Sequence, residues 1–334
     1  MSSSFPLFNL PSEVVLHVIK SMDCFEYITF SFLSERAKSV VKSMNLKALG
    51  STATVAESIT LKMSVGHTYV VLEFTKGNQQ FPDKFTMRYL LEDPFTEYIV
   101  EEHSFKEWME HCKSIFNYAG FLDITLAKGF QLFDLNEIST IIGSIRNVTI
   151  SPGVGDTEVE VILKHFPTKP LWFKFGIFEM GAFEALLHPH RILIQNIDNL
   201  CIEEVDPQVS LDDLLMANSK DLTTTINMTT KEVNRFIKHW QRGSNPRMEC
   251  LKIGLLNNEV INKEVILKGV NYAEAPINQV RHFKTISWGQ MKVNGGVDFY
   301  RNDGTMATIE IDVYEDDTWL TMYVWYPHCV GNAE

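Results

Sequence analysis

The sequence predicts an α/β protein in which a small helical module precedes a larger body and an antiparallel hairpin closes the C-terminus. Three short apolar stripes at helical spacing occupy the first 48 residues. Helix-like and strand-like segments then alternate from residue 105 to residue 255. Two β-rich runs near the C-terminus flank Asp303-Gly304, a pair that suits a tight hairpin turn. A chain of 334 residues accommodates this plan, with a boundary expected between residues 1–48 and 49–334.

The composition excludes several classes of protein. The chain has 30 Lys and Arg against 42 Asp and Glu, a net charge of −12 that argues against nucleic acid as the main partner. It has no apolar run of about 20 residues, the length that spans a bilayer, and no secretory signal pattern at the N-terminus. The five cysteines form no CxxC pair, so the spacing suggests neither a zinc knuckle nor a disulfide framework. We therefore expect a cytoplasmic or nuclear protein with reduced thiols.

The first 48 residues predict three short helices. A first helix follows Pro11, Asp23 and Glu26 have the spacing of a capping box for a second, and Ser34 suits the N-cap of a third. Three helices of this length cannot bury a sufficient core by themselves. Their surplus apolar side chains therefore need another surface, which is either the rest of this chain or a second protein.

The same segment resembles an F-box. The run Phe5–Val15 is similar to the opening of that motif, and Met22–Glu26 and Ser34–Val40 stand where its second and third helices lie. Later blocks resemble the F-box-associated (type 2) domain of the large nematode F-box families. These blocks are Leu211–Ser219, Val233–Trp240, Gly243–Arg247, Ile266–Val270 and Arg301–Ile309.

The resemblance implies a substrate-recognition subunit of an SCF-type ubiquitin ligase, with no enzymatic activity or cofactor of its own. The helices would bind the Skp-family adaptor, which links to a cullin, and the body would hold a target protein. The expected adaptor-binding residues are Leu7, Leu10, Pro11, Val14, Val18, Ile19 and Phe25. Two alternatives stay open: an adaptor-bound scaffold without a role in degradation, and an α/β enzyme with a helical cap.

The body is predicted to begin with a hairpin over Ser58–Phe74 and to continue as helix–strand pairs. Successive strands recur at intervals of roughly 25 to 31 residues, close to the range of leucine-rich repeats. Short links between helices and strands imply parallel strands. The pattern thus favours an irregular leucine-rich-repeat-like array over a conventional open α/β sheet. The predicted strands of the array are Leu122–Leu126, Asn147–Ile150, Arg191–Gln195, Leu222–Asn227 and Glu249–Leu255.

Target recognition is expected on the loops at one end of these strands. The connections after Leu126, Ile150, Gln195 and Asn227 would lie at the same end, because parallel strands present their carboxyl ends together. The polar candidates there are Lys128, Gln131, Asn196 and Asp198. In contrast, Asn218, Asn234 and Trp240 are assigned to the scaffold, since Asn suits capping and turn bonds and Trp suits a core.

The remaining chemical motifs favour structural roles. His188-Pro189-His190 lacks the further ligands that a zinc site needs. Gly153-Val154-Gly155 precedes the strand-like run Glu158–Leu163, so a hairpin turn is predicted there in place of a phosphate-binding loop. We therefore predict no catalytic residue, no metal and no cofactor.

Overall fold

The computed structural model describes most of the chain as two compact units, Met1–Arg146 and Asn147–Glu334. The residues that it describes are 6–65, 68–76, 85–90, 104–143, 145–151, 153–166, 172–176, 189–203, 209–226, 228–255, 262–285, 289–313 and 318–331. Among these residues, no helix has both the length and the hydrophobicity to cross a membrane. The predicted boundary after residue 48 stays a prediction.

The first unit combines helices with a mixed β-sheet. Its helices are α1 Ser12–Lys20, α2 Cys24–Phe32, α3 Glu35–Ser43, α4 Phe105–Ile115 and α5 Leu135–Ile142. Its strands are β1 Lys47–Val55, β2 Ser58–Val65, β3 Thr68–Lys76, β4 Phe85–Leu90 and β5 Asn117–Leu126. Short 3-10 helices lie at Leu7–Asn9 and Phe130–Leu132. The described strands run in the order β5-β1-β2-β3-β4, and β1 is parallel to β5 but antiparallel to β2.

The caps predicted for the N-terminal helices are present. Asp23 accepts a hydrogen bond from the backbone N–H of Glu26, and Glu26 accepts one from the N–H of Asp23, both at 2.8 Å. Ser34 accepts from the N–H of Ala37. Each bond satisfies a backbone donor that the first turn of a helix leaves without a partner, so these residues fix where α2 and α3 begin.

The second unit contains a parallel array followed by antiparallel strands. Its helices are α6 Asp156–His165, α7 Pro189–Leu193, α8 Leu211–Met216, α9 Thr230–Gln241 and α10 Lys263–Ile266. Its array strands are β6 Asn147–Ile150, β7 Trp172–Gly176, β8 Asn199–Glu203, β9 Asp221–Ile226 and β10 Cys250–Leu255. The later strands are β11 Tyr272–Glu274, β12 Val280–Thr285, β13 Gly289–Asn294, β14 Val297–Tyr300, β15 Met306–Val313 and β16 Thr318–Val324. A 3-10 helix covers Pro327–Cys329.

The five array strands pair in sequence order, and the pairings recorded from β6 to β10 are all parallel. The helices α6, α8 and α9 lie in the connections between successive strands, and of these the helix–strand alternation predicted α8 and α9. Strand β9 is buried at five of its six positions, because the side chains on both faces of an inner parallel strand are covered. Beyond β10 the order continues as β16-β15-β14-β11 with antiparallel pairing.

The mixed α/β class with N-terminal helices is therefore confirmed. The predicted C-terminal runs form β14 and β15, which pair antiparallel, and Gly304 in the turn between them has φ +90°. The finer descriptions, a leucine-rich-repeat-like array and a hairpin that caps it, stay predictions.

Two predicted strands are wrong. Glu158–Leu163 lies in α6: Val159 and Ile162 are buried three residues apart, and Val161 between them is 54% exposed, which is helical periodicity. Arg191–Gln195 overlaps α7, and the strand of this repeat begins at Asn199. In both places β-branched residues resemble the pattern of a strand. The structure instead has a helix in each, one with its N-cap at Gly155 and one that begins at Pro189.

Candidate functional site

Helix α1 has one buried face and one exposed face. Val15 and Ile19 are buried, with Ile19 at 0% exposure, and they hold the N-terminal helices together. Val14 and Val18 lie on the other face and are 44% and 37% exposed. Valine side chains at i and i+4 form a continuous apolar strip on a helix surface. The helix therefore presents an apolar strip that no described residue covers completely.

The other residues predicted to bind an adaptor surround this strip or pack beneath it. Pro11 is exposed, and Leu7 and Leu10 are half-buried. The backbone of Phe25 belongs to α2, but its side chain lies outside the described residues. Because Ile19 is fully buried, its side chain serves the internal packing of the helices in the structure of the free chain.

The 3-10 helix before α1 is held by aromatic and cationic contacts. The ring of Phe8 lies 6.0 Å from that of Phe30, and the Arg36 guanidinium stands 4.7 Å over the Phe8 ring. Arg36 also donates a hydrogen bond of 3.2 Å to the carbonyl of Phe8. A cation above an aromatic ring is attracted by the ring's quadrupole. These contacts fix the segment that carries Leu7 and Leu10 against α2 and α3.

The second helix, α2, packs against α4. The ring of Phe32 is stacked on that of His111 at 3.6 Å, and it meets the ring of Trp108 edge-on at 4.7 Å. A hydrogen bond of 2.6 Å joins the Ser31 hydroxyl to Nε2 of His111. The first alternative for the surplus apolar side chains is thus seen for α2, which packs on the rest of the unit, whereas contact of the strip on α1 with a second protein stays a prediction.

All five cysteines are free and buried. Burial raises the pKa of the Cys24 thiol, raises that of Cys112 to about 12, and places that of Cys250 well above its ordinary value. A protonated, buried thiol is a poor nucleophile. The predicted free thiols are therefore present, and burial is the main cause that raises the pKa of Cys24.

These environments predict slow chemical modification. In the folded chain at neutral pH, iodoacetamide should label no cysteine at the rate of an exposed thiol, because burial denies access and keeps the thiols protonated. In denaturant all five should react, as mass spectrometry of the alkylated protein would measure. Rapid labelling of any cysteine in the native chain would contradict the described packing.

The four residues predicted to bind a target lie in two places. Both Lys128 and Gln131 are exposed in the first unit, Lys128 in the turn after β5 and Gln131 in the 3-10 helix Phe130–Leu132. Asn196 and Asp198 precede β8 in the second unit, so they stand at the amino end of their strand, not at its carboxyl end. The expectation that all four follow the carboxyl ends of strands is therefore wrong, and its cause is the helix α7 where a strand was predicted.

Asn196 and Asp198 belong to a polar network around Arg247. The Arg247 guanidinium donates to Oδ1 of Asn196 at 3.0 Å and to Oδ1 of Asp198 at 2.5 Å. Lys220 donates to Oδ2 of Asp198 at 3.1 Å, and Nδ2 of Asn218 donates to Oδ1 of Asn196 at 2.7 Å. These bonds join the segments that enter β8, β9 and β10, so the network positions neighbouring strand entries.

Two buried asparagines act as internal caps. Asn234 donates to the carbonyls of Ile266 and Lys268, and Asn245 donates to those of Leu214 and Ala217. Each amide satisfies carbonyls that the end of a short helix leaves without an internal partner. The assignment of Asn234 to the scaffold, and of Trp240 to the core at 0% exposure, agrees with these contacts.

Comparison with known proteins identifies the class of domain. A model of the F-box domain matches residues 7–49, and a model described as F-box associated (type 2) matches residues 188–253. The first match covers the helices that present the apolar strip, and the second covers the part of the array from α7 to β10. The chain thus carries an F-box and an F-box-associated domain, which confirms the resemblance seen in the sequence.

One curated relative spans nearly the same length. The F-box associated domain-containing protein sdz-33 of Caenorhabditis elegans is 23% identical over 314 residues, which cover 92% of this chain and 94% of that protein. No solved structure matches the chain. An F-box implies binding of an SCF-type adaptor, and an F-box-associated domain implies interaction with a substrate.

Proposed function

We propose that this protein is the substrate-recognition subunit of an SCF-type ubiquitin ligase. The observation that carries the proposal is the exposed strip of Val14 and Val18 on a helix whose other face is fully packed. The match of an F-box to the same helices supports an adaptor of the Skp family as the partner that covers this strip. A cullin would join through the adaptor.

The strip has the make-up of an interface centre with a polar rim. Val14 and Val18 would supply the desolvated centre, and exposed Glu13, His17 and Lys20 on the same helix would lie at its edge. Fully covered apolar anchors contribute most of the binding free energy of such an interface. Pro11 and Leu10 extend the apolar surface toward the N-terminus.

The target would be held by the rest of the chain. An F-box-associated match over residues 188–253 supports the second unit as the main target surface. Lys128 and Gln131 are candidates because their side chains are exposed in the connection between β5 and α5. Asn196 and Asp198 are weaker candidates, since the Arg247 network already uses their oxygens.

The chain itself would do no bond chemistry. A receptor of this kind acts by proximity: it raises the effective concentration of target lysines near the enzyme that carries ubiquitin. The burial of all five thiols agrees with this role, because a ubiquitin-carrying cysteine has to be reachable and ionisable.

Isolation of the full-length tagged chain from cells, with and without proteasome inhibition, tests the proposal. We expect the adaptor and a cullin to co-purify, together with at least one protein that carries ubiquitin and accumulates on inhibition. Absence of the adaptor would overturn the proposal. An adaptor complex whose bound proteins carry no ubiquitin and do not accumulate would favour the scaffold alternative.

A further inference from the structure

Three side chains with different metal-binding atoms converge beside the start of β10. Glu249 precedes that strand, and His328 and Cys329 lie in the 3-10 helix near the C-terminus. The ligand atoms of all three lie within 4.8 Å of one another. Nε2 of His328 is 3.0 Å from Oε1 of Glu249. The carboxylate lies 79 residues away in sequence, so the cluster exists only in the folded chain.

Hydrogen bonds fix the backbone segments that carry these side chains. The N–H of Glu249 donates to the carbonyl of Lys220 at 2.7 Å, and its carbonyl accepts from the N–H of Val324 at 2.8 Å. The N–H of Cys329 donates to the carbonyl of Tyr326 at 2.9 Å. The ring of His328 is parallel to that of Tyr326 within 2°. A site assembled on fixed elements binds with a smaller entropic cost.

The three groups are buried to different extents. Cys329 is fully buried and the side chain of Glu249 is 9% exposed, whereas that of His328 is 65% exposed. The sulfur and the carboxylate thus lie in the interior, and the imidazole lies at the surface in contact with solvent. An ion held by the three groups would keep a coordination position for water at that surface.

We propose that Glu249, His328 and Cys329 form a zinc-binding site. Sulfur, imidazole nitrogen and carboxylate oxygen are the zinc ligands that proteins use, at bond lengths of about 2.0–2.3 Å. Ligands around a tetrahedral ion at those lengths lie roughly 3.3–3.8 Å apart, so small movements suffice, and the exposed His328 is the ligand that can move. Binding replaces the thiol proton, which leaves to solvent, and the two negative ligands balance the ion's double positive charge.

Such a site would fasten the C-terminal 3-10 helix to the parallel array. The bound ion would link Pro327–Cys329 directly to Glu249, the residue that precedes β10. A ligand that binds only the folded state stabilises it by mass action. The thermal midpoint of the chain should therefore rise with zinc concentration.

Titration of the reduced, metal-free full-length chain with Co²⁺ tests the proposal, because Co²⁺ reports a bound thiolate by a sulfur-to-metal charge-transfer band. We expect one equivalent to bind with that band, and Zn²⁺ to displace it. His328→Ala should weaken binding by about 100-fold, since even loss of an outer-shell partner costs 10–100-fold. Cys329→Ser should abolish the band. His165→Ala and Cys201→Ser, which remove an imidazole in α6 and a buried thiol in β8, should change neither result.

A wild-type chain that takes up no Co²⁺, or binds it without the thiolate band, would overturn the proposal. So would unchanged affinity in His328→Ala, a variant expected to fold because its side chain is mostly exposed. Circular dichroism of each variant confirms the fold. The adaptor plays no part in the titration, so the outcome is independent of the proposed ligase function.

Discussion

Replacing Val14 by aspartate is expected to abolish binding of a Skp-family adaptor without unfolding the chain. Val14 is 44% exposed, so the new carboxylate stays hydrated in the free protein. In the complex it would be buried against an apolar surface without a partner, and burial of an unpaired charge costs several kcal/mol. Isothermal titration with purified adaptor should show at least about a 100-fold loss of affinity, the equivalent of about 2.7 kcal/mol.

A matched control is available in the second unit. Val161 on α6 is also an exposed helical valine, at 54%, and Val161→Asp introduces the same charge away from the F-box. This variant should bind adaptor as the wild type does. Equal binding by Val14→Asp and wild type would remove the strip on α1 from the adaptor interface and would contradict the function proposed for the F-box.

Replacing Leu10 and Pro11 together by alanine should also weaken binding, because truncated interface anchors typically cost ~2 kcal/mol or more each.

The second large effect is expected at Arg301, which is only 6% exposed. Its guanidinium donates to the carbonyls of Trp240, Ser244 and Asn245 at 2.9–3.3 Å and lies 4.4 Å over the Trp240 ring. Arg301→Met keeps much of the volume but removes the cation over Trp240 and leaves the Ser244 carbonyl without this donor, whereas the carbonyls of Trp240 and Asn245 keep a backbone N–H donor each. Because each buried unsatisfied group costs roughly 1–3 kcal/mol, the free energy of unfolding should fall by about 3 kcal/mol in urea denaturation.

The exposed Arg242 provides the comparison. Arg242→Met makes the same chemical change at the end of α9, where the side chain is in solvent. Surface substitutions of this kind usually change stability by less than about 0.5 kcal/mol. Similar urea midpoints for the two variants would mean that the Arg301 contacts do not stabilise the second unit.

Local signals in the sequence predicted those elements whose ends carry their own chemistry. Asp23 with Glu26 and Ser34 mark helix starts that the structure confirms, and Thr229 and Glu232 form a further capping box for α9. The strand predicted over Arg191–Gln195 is wrong. Ile192, Leu193 and Ile194 are apolar residues typical of a buried strand, but a helix that begins at Pro189 takes up this segment. Strands β12 and β13 were missed because their apolar positions are sparse: only Phe283, Thr285 and Val293 are buried.

The candidate sites were less predictable than the fold. Spacing alone places Val14, Val18 and Ile19 on one stripe, and only packing separates the exposed valines from the buried isoleucine. Arg247 and Arg301 stand in blocks that resemble the F-box-associated domain, but their hydrogen-bond partners are distant in sequence. Glu249 and His328 meet for the same reason, since hydrogen-bond partners 79 residues apart leave no local pattern.

The aromatic contacts of Phe32 with Trp108 and His111 join α2 of the F-box to α4. This packing makes the F-box part of the first unit's core, so the adaptor would be held at a set angle to that unit, with no swivel between them. A target bound by the first unit would then present its lysines at a fixed distance from the adaptor. Grafting an F-box from another receptor would fail unless the donor motif also carried an aromatic residue that packs against Trp108 and His111.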